Sequence, residues 1–311
     1  MLNIREIMKK SIIACSLFWA MMAQAQILNV TAIEPLNIQQ DENKVVQAVA
    51  ISPQGDYLLL STDTKRGLVK WDLATGLSST LTDDEGAGSD VRIGDGGSVI
   101  LYSEVSYKDK RRHQAVKSID LTTGKRQTLV KPSRNGLGFS IDGGVATTVA
   151  GGKVSRHVIR KGESPSHVRP VLSRHHLNLY ITRDGETTML APNGADEHYI
   201  WASLSPDGGR VLYYVSGHGA FVCDVDGSNV IFLGNLTAPK WWDDNTVVGM
   251  NEVDGEYSIT ASAIVIRTLD GREQVLTGDD VIATYPLPSP QSGKIVFSTP
   301  DGSIYMITVD D

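Results

Sequence analysis

Three groups of residues in this chain are of types that could do chemistry. The first is histidine. Six of the seven, His157, His167, His175, His176, His198 and His218, fall within 62 residues, and only His113 stands apart. Imidazoles brought together from neighbouring strands could ligate a divalent metal. No pair has the spacing of a known site, and the adjacent His175 and His176 would face opposite sides of a strand. Solvated loop histidines are the favoured reading, and neither a metal nor another cofactor is expected. The second group is aromatic: Tyr199, Trp201, Trp241, Trp242 and Tyr285 gather just ahead of the later apolar runs. Rings that carry a polar edge suit contact with a peptide or a sugar. Trp242 could equally pack between repeats. Asp90, Arg92, His198 and Lys240 hold comparable positions and could add polar contacts. The third group is basic. Between about 151 and 176 lie Lys153, Arg156, Arg160, Lys161, Arg169 and Arg174, against Glu163 as the only acid. Such sign asymmetry suits an acidic partner, with Arg156, Arg160 and Lys161 as candidates, although a solvated loop explains it too.

Signals for catalysis are missing. The chain contains no Gly-x-Ser-x-Gly elbow and no His-Glu-x-x-His pair. Asp224, Asp226, Gly227 and Asn229 have the look of a calcium loop but lack its distal glutamate, so a hairpin turn accounts for them. No catalytic residue is assigned.

The elements that must position these groups are repeats. Six times a turn rich in Gly, Asp, Asn or Pro precedes a short apolar run. The clearest are Ser52-Pro53-Gln54-Gly55, Ser205-Pro206-Asp207-Gly208 and Ser289-Pro290-Gln291-Ser292-Gly293; looser copies begin at Gly94, Ser140 and Trp242. A second signature follows in each unit, as in Trp71-Asp72-Leu73-Ala74-Thr75-Gly76 and Ile119-Asp120-Leu121-Thr122-Thr123-Gly124. Asp, Asn and Gly tolerate the positive φ of tight hairpin turns. Two hairpins per unit imply four strands. The second-signature glycines, Gly76 to Gly271, are spaced by 48, 61, 42 and 44 residues, which brackets the roughly 40–50 of a propeller blade. The expected fold is therefore all-β: a six-bladed β-propeller of four-stranded antiparallel blades at roughly 46–86, 87–133, 134–195, 196–236, 237–280 and 281–311. Residues 27–33 would close the ring as the outer strand of the last blade, hiding two unpaired edges. The long third interval reads as a basic insertion. In such a ring, the aromatics ahead of the inner strands sit at the mouth of a central channel.

These turns, with Cys223-Asp224-Val225-Asp226-Gly227 and Ile304-Tyr305-Met306-Ile307, resemble the WD-like repeats of the TolB-type propellers of bacterial envelopes. The resemblance spans nearly the whole of the chain after residue 25, best in blades one, four and six. It implies a six-bladed propeller in an exported protein. The same blades serve in envelope scaffolds, in the non-catalytic propellers of prolyl-peptidase-like enzymes, and in some polysaccharide lyases.

The N-terminus agrees with export. Arg5, Lys9 and Lys10 precede an apolar stretch from Ser11 to Met22, and Ala23-Gln24-Ala25 offers a small-x-small cleavage site, so residues 1–25 read as a signal peptide. Ile12-Ile13-Ala14-Cys15 makes a lipoprotein anchor a minor alternative. The formal net charge of −7 falls to −9 once the leader's three bases and one acid are removed. A chain so acidic lacks the basic face that nucleic acid requires. Nor is any other segment long and apolar enough to span a membrane. Cys223 is then the one mature cysteine, and no internal disulfide can form. The expectation is a periplasmic or secreted monomer, one domain over 26–311, binding a protein or peptide of the cell envelope at its channel face without catalysis. A carbohydrate-active lyase or hydrolase with a His or carboxylate site in the channel is the alternative, and a structural envelope scaffold a third.

Overall fold

In the repeated turns, each residue type has a distinct hydrogen-bonding or backbone role. Ser205 Oγ accepts the Arg210 N–H at 2.9 Å and donates to the Asp207 carboxylate at 2.6 Å, while Gly208 takes φ +78°. Ser52 Oγ likewise accepts the N–H groups of Asp56 and Tyr57 at 3.0 and 3.1 Å. In the second signature, the Asp72 carboxylate accepts the Thr75 N–H and hydroxyl at 2.9 and 2.8 Å. Asp120 accepts the N–H groups of Thr122 and Thr123, and Gly76 and Gly124 both adopt φ +70°. These side chains take over backbone donors that a tight turn would otherwise leave unpaired.

The computed structural model describes residues 26–38, 46–94, 96–160, 169–256 and 258–310. The proposed signal peptide and Lys161 lie outside them. After β1 (Asn29–Pro35), the first sheet comprises β2 (Val46–Ile51), β3 (Tyr57–Thr62), β4 (Leu68–Asp72) and β5 (Ser78–Thr82). The second holds β6 (Val91–Ile93), β7 (Val99–Lys108), β8 (Arg111–Asp120) and β9 (Arg126–Ser133). The third is built from β10 (Leu137–Asp142), β11 (Val145–Ala150), β12 (Lys153–Val158), β13 (Val171–His175), β14 (Asn178–Arg183) and β15 (Glu186–Leu190). The fourth comprises β16 (Tyr199–Leu204), β17 (Arg210–Val215), β18 (Gly219–Asp224) and β19 (Ile231–Gly234). The fifth contains β20 (Thr237–Asp243), β21 (Thr246–Asp254), β22 (Ile259–Thr268) and β23 (Glu273–Val275). The sixth joins β24 (Thr284–Ser289), β25 (Lys294–Ser298) and β26 (Ile304–Asp310) to β1, which pairs antiparallel with β26 from Asn29↔Asp310 to Pro35↔Tyr305. Six antiparallel sheets thus form a six-bladed propeller whose ring is closed by the N-terminal strand.

Strand alternation packs the blades. Tyr57 and Leu59 face the second blade's Ile100 and Tyr102, while Leu58 and Leu60 face the sixth blade's Val296 and Ile304. Neighbours on one strand therefore belong to two different interblade cores, the consequence of a period of two residues. Each such leucine, once buried, contributes roughly 1.5–3 kcal/mol. The turns also dock on one another. Ser289 Oγ donates to the carbonyls of Ser52 and Pro53, Lys294 to Gly55, and the Tyr57 hydroxyl to Gly97 at 2.6 Å. The sixth, first and second blades are thereby chained together.

Five sheets have four strands and the third has six, in the order β12-β11-β10-β13-β14-β15. Two three-stranded meanders meet through β10 and β13 at Leu137↔Arg174. β10 touches β6, and β13 touches β16, so both stand in the circuit of first strands that surrounds the axis. The extra residues of the long third interval are thus partly strand: β12 and β13 occupy much of the stretch expected as a basic loop. A double-width blade results.

Candidate functional site

The register of each blade fixes where the channel mouth lies. The start of β16 pairs with the end of β17, at Tyr199↔Val215. The start of β20 pairs at Thr237↔Met250, and that of β24 at Thr284↔Ser298. The starts of the inner strands therefore share a face with the turns between second and third strands, opposite the Ser-Pro turns.

At that face three consecutive inner strands are bulged, with register shifts between Ile200 and Ser203, Thr237 and Lys240, and Thr284 and Leu287. Each bulge contains a non-glycine residue in the left-handed region: Trp201 (φ +52°), Ala238 (φ +48°) and Tyr285 (φ +52°). All three precede their turn's first residue, Ser205, Trp242 or Ser289, by four positions. For an L side chain this conformation costs of order 1 kcal/mol or more, and glycine would avoid it. A bulge re-aims a side chain and is common beside binding sites. Tyr285 is 53% exposed, and its N–H donates to Met250 Sδ at 3.3 Å. Trp201 is half-buried and edge-on to Tyr214, 5.2 Å between centroids.

Two positions after Ala238 stands Lys240. Burial pushes its ammonium down to about 8; Arg92 lowers it further and Asp90 acts the other way. Asp90 and Arg92 flank Val91 on β6 and form an ion pair at 2.7 Å, with Arg92 over the Phe139 ring at 5.8 Å. β6 and β20 belong to the second and fifth sheets, so these charges act on one another across the channel. The structure thus brings together three of the residues singled out in the sequence. A desolvated cation beside a guanidinium favours an incoming carboxylate or another anionic group. His198 is exposed, and the neighbouring His218 Nδ1 lies 3.6 Å from Glu197.

Other expected residues are elsewhere. Tyr199 is 2% exposed, packs on Tyr213 and donates its hydroxyl to the Gly194 carbonyl at 2.9 Å. Trp241 and Trp242 are 9% and 8% exposed. Trp241 lies among Leu212, Leu236 and Val247, its Nε1–H reaching the Ser203 carbonyl at 3.3 Å. Trp242 packs with Leu28, Val248 and Phe297. These three rings fill interblade cores and cannot meet a ligand at the mouth, because β-strand alternation and the bulges turn them inward. Arg156 is exposed on β12. Arg160 instead bonds Ser98 Oγ and approaches the buried Asp120 carboxylate at 3.9 Å, tying the third blade to the second.

Of the histidines within the described residues, His175 and His176 stack edge-on at a hairpin tip, 4.3 Å apart. His157 bonds Thr148 at 2.9 Å, with burial lowering its pKa. Among the described residues no three His, Cys, Asp or Glu gather as metal ligands. Cys223 is buried against Tyr213, and burial pushes its thiol up to about 12, where it is inert.

One cluster has no signal in the sequence. Lys117 Nζ lies 2.9 Å from Asp84 and 3.0 Å from Glu104, and the Tyr102 hydroxyl donates to Asp84 at 2.7 Å. Burial opposes the charge of Lys117, but the two carboxylates hold its pKa above the ordinary value. Burial also opposes the charge of Asp84, yet bonds from Lys117 and Tyr102 hold its carboxyl below the usual range. A cavity of about 180 Å³ adjoins them, also lined by Thr82, Arg126, Gln127 and Thr128. Its residues come from separate strands with no shared spacing, so only the folded sheet assembles them.

No family model matches the sequence, and no curated protein matches it. Solved structures are similar. TolB from Acinetobacter baumannii matches with a TM-score of 0.50 and 17% identity, over 76% of this chain and 55% of that one. A chain of the mitotic checkpoint complex matches with a TM-score of 0.56 and 12% identity, over 92% and 98%. An oligogalacturonate lyase in complex with manganese reaches a TM-score of 0.49 at 15% identity, over 84% and 76%. The chain spans little more than half the length of the TolB it matches. At such identities the likeness concerns the fold alone: this chain is a β-propeller.

Proposed function

We propose that this protein is an exported, non-catalytic propeller that binds a protein or peptide partner at its channel face. The observation that carries this reading is the row of bulged inner strands, in which Trp201 and Tyr285 are held at a strained backbone and Lys240 follows the middle bulge's Ala238 by two residues, within the influence of Asp90 and Arg92. Strain retained at bulky side chains is expected where the side chain has a task. Aromatic rings beside one desolvated cation suit a peptide segment bearing an apolar side chain and a carboxylate. The test is capture from a bacterial envelope extract. The wild-type protein should retain a partner that Trp201→Ala and Tyr285→Ala each lose at least tenfold; equal retention by all three contradicts the reading. Export is checked by N-terminal sequencing of the protein from the envelope fraction, which should begin at Gln26.

The second reading, a carbohydrate-active lyase or hydrolase, has one observation in its favour. A lysine with its pKa near 8 beside an arginine could take a proton next to a carboxylate. Ultraviolet absorbance from unsaturated sugar ends, appearing with acidic oligosaccharides and lost in Lys240→Met, would favour it over the binder.

A further inference from the structure

Two hairpins on the channel face are longer than their counterparts. β7 and β8 have ten residues each and β21 and β22 nine and ten, whereas β3, β17 and β25 have six, six and five. Three or four extra residues at ~3.3 Å each carry the tips roughly 10 Å beyond the neighbouring turns. Both are formed almost to the tip: β7–β8 pairs through Lys108↔Arg111 and β21–β22 through Asp254↔Ile259. Asp109 and Lys110 both take positive φ in a two-residue turn, whose twist matches the strands. Both project as paired-strand posts.

Their charges are opposite. The second blade's tip carries Lys108, Lys110, Arg111 and Arg112 around Asp109, all exposed, with Tyr107 67% exposed beside them. Among the described residues, no ion pair neutralises those four cations. The fifth blade's tip carries Glu252, Asp254 and Glu256, with Val253 58% exposed and no Lys or Arg between Lys240 and Arg267.

We propose that two copies of this chain pair face to face, the basic hairpin of each lying against the acidic hairpin of the other. A two-fold axis in the plane of the face, bisecting the second and fifth blades, places each post on its opposite. Both contacts form at once, and the assembly closes at a dimer. The tips carry net charges of opposite sign, Lys108, Lys110, Arg111 and Arg112 at one against Glu252 and Asp254 at the other. Tyr107 and Val253 supply an apolar side chain at each post. This assembly goes beyond the partner-binding reading and replaces the monomer expected from sequence. Posts of this height keep the two mouths apart, so a peptide can still reach Trp201 and Tyr285.

The experiment is sedimentation of the purified protein at about 100 μM, in roughly 20 mM and roughly 500 mM salt, where screening lengths differ several-fold. A dimer in low salt that dissociates at least tenfold more readily in high salt is expected. Two reversed variants follow: Lys108→Glu/Lys110→Glu/Arg111→Glu, and Glu252→Lys/Asp254→Lys. Each alone should sediment as a monomer with an unchanged melting temperature, and an equimolar mixture should recover a 1:1 dimer. A wild-type monomer in low salt, or a dimer that both variants retain, overturns the proposal. Partner capture through Trp201 and Tyr285 is read separately, so either idea can fail while the other stands.

Discussion

A tyrosine with φ +52° at an open mouth is a residue where conformation and contact can be separated by substitution. Glycine fits that backbone without strain, so Tyr285→Gly should leave the melting temperature within about 3 °C while abolishing capture. A marked loss of stability would make Tyr285 a structural residue instead. Lys240 gives a pH test. Its folded pKa, about 8, is below its unfolded value. Below pH 8 the ammonium is charged in both states, and its burial fully destabilises the fold. Between pH 8 and about 10.5 the folded protein gives up the proton first, so stability contributed at this site rises with pH. Lys240→Met should therefore raise the melting temperature at pH 7, with a gain that shrinks above pH 10. Differential scanning calorimetry at both pH values checks this. Arg160 contrasts with Arg156. Arg160→Glu sets a carboxylate against the buried Asp120 and should cost about 2 kcal/mol, whereas Arg156→Glu should cost under about 0.5. Equal costs in chemical denaturation would show that Arg160 does not tie the blades.

Strands were the most legible elements, because turn chemistry announces both ends. Ser52, Ser205 and Ser289 are recognisable before folding, and each one's hydroxyl has a turn to hold or a neighbouring turn to reach. Bulges were not legible. The sequence around Trp201 alternates like any strand, and only pairing with β17 shows the shift that turns its side chain. For the same reason Tyr199, Trp241 and Trp242 read as mouth residues yet fill interblade cores: facing depends on register, which single-strand spacing does not specify. The third blade was legible in length but not in kind, since three of its extra basic residues, Lys153, Arg156 and Arg174, lie in strands β12 and β13. The closing strand β1 was foreseen, and its weight can be measured. It pairs with β26 over six positions, buries Leu28, and is anchored where Gln274 accepts the N–H groups of Ile27 and Leu28. Deleting residues 26–35 should lower the melting temperature by more than about 10 °C. An unaltered melt would mean that the ring closes without it.

At the scale of the molecule, the two faces differ in kind. One carries turns whose backbone carbonyls at Ser52, Pro53, Gly55 and Gly97 already accept hydrogen bonds from neighbouring blades, which joins the sixth, first and second blades. The other carries the bulged strands, the channel charges and two charged posts. A ring of blades supplies stability by repetition, and departures from the repeat gather on the second face. Placing a photo-crosslinking side chain at Tyr285 and, separately, at the exposed Gln291 of the opposite face is the most direct test of this division. In cells, the account predicts a discrete adduct with an envelope protein from position 285 and none from position 291. Adducts from 291 alone, or from neither position, would contradict a channel-face binding site.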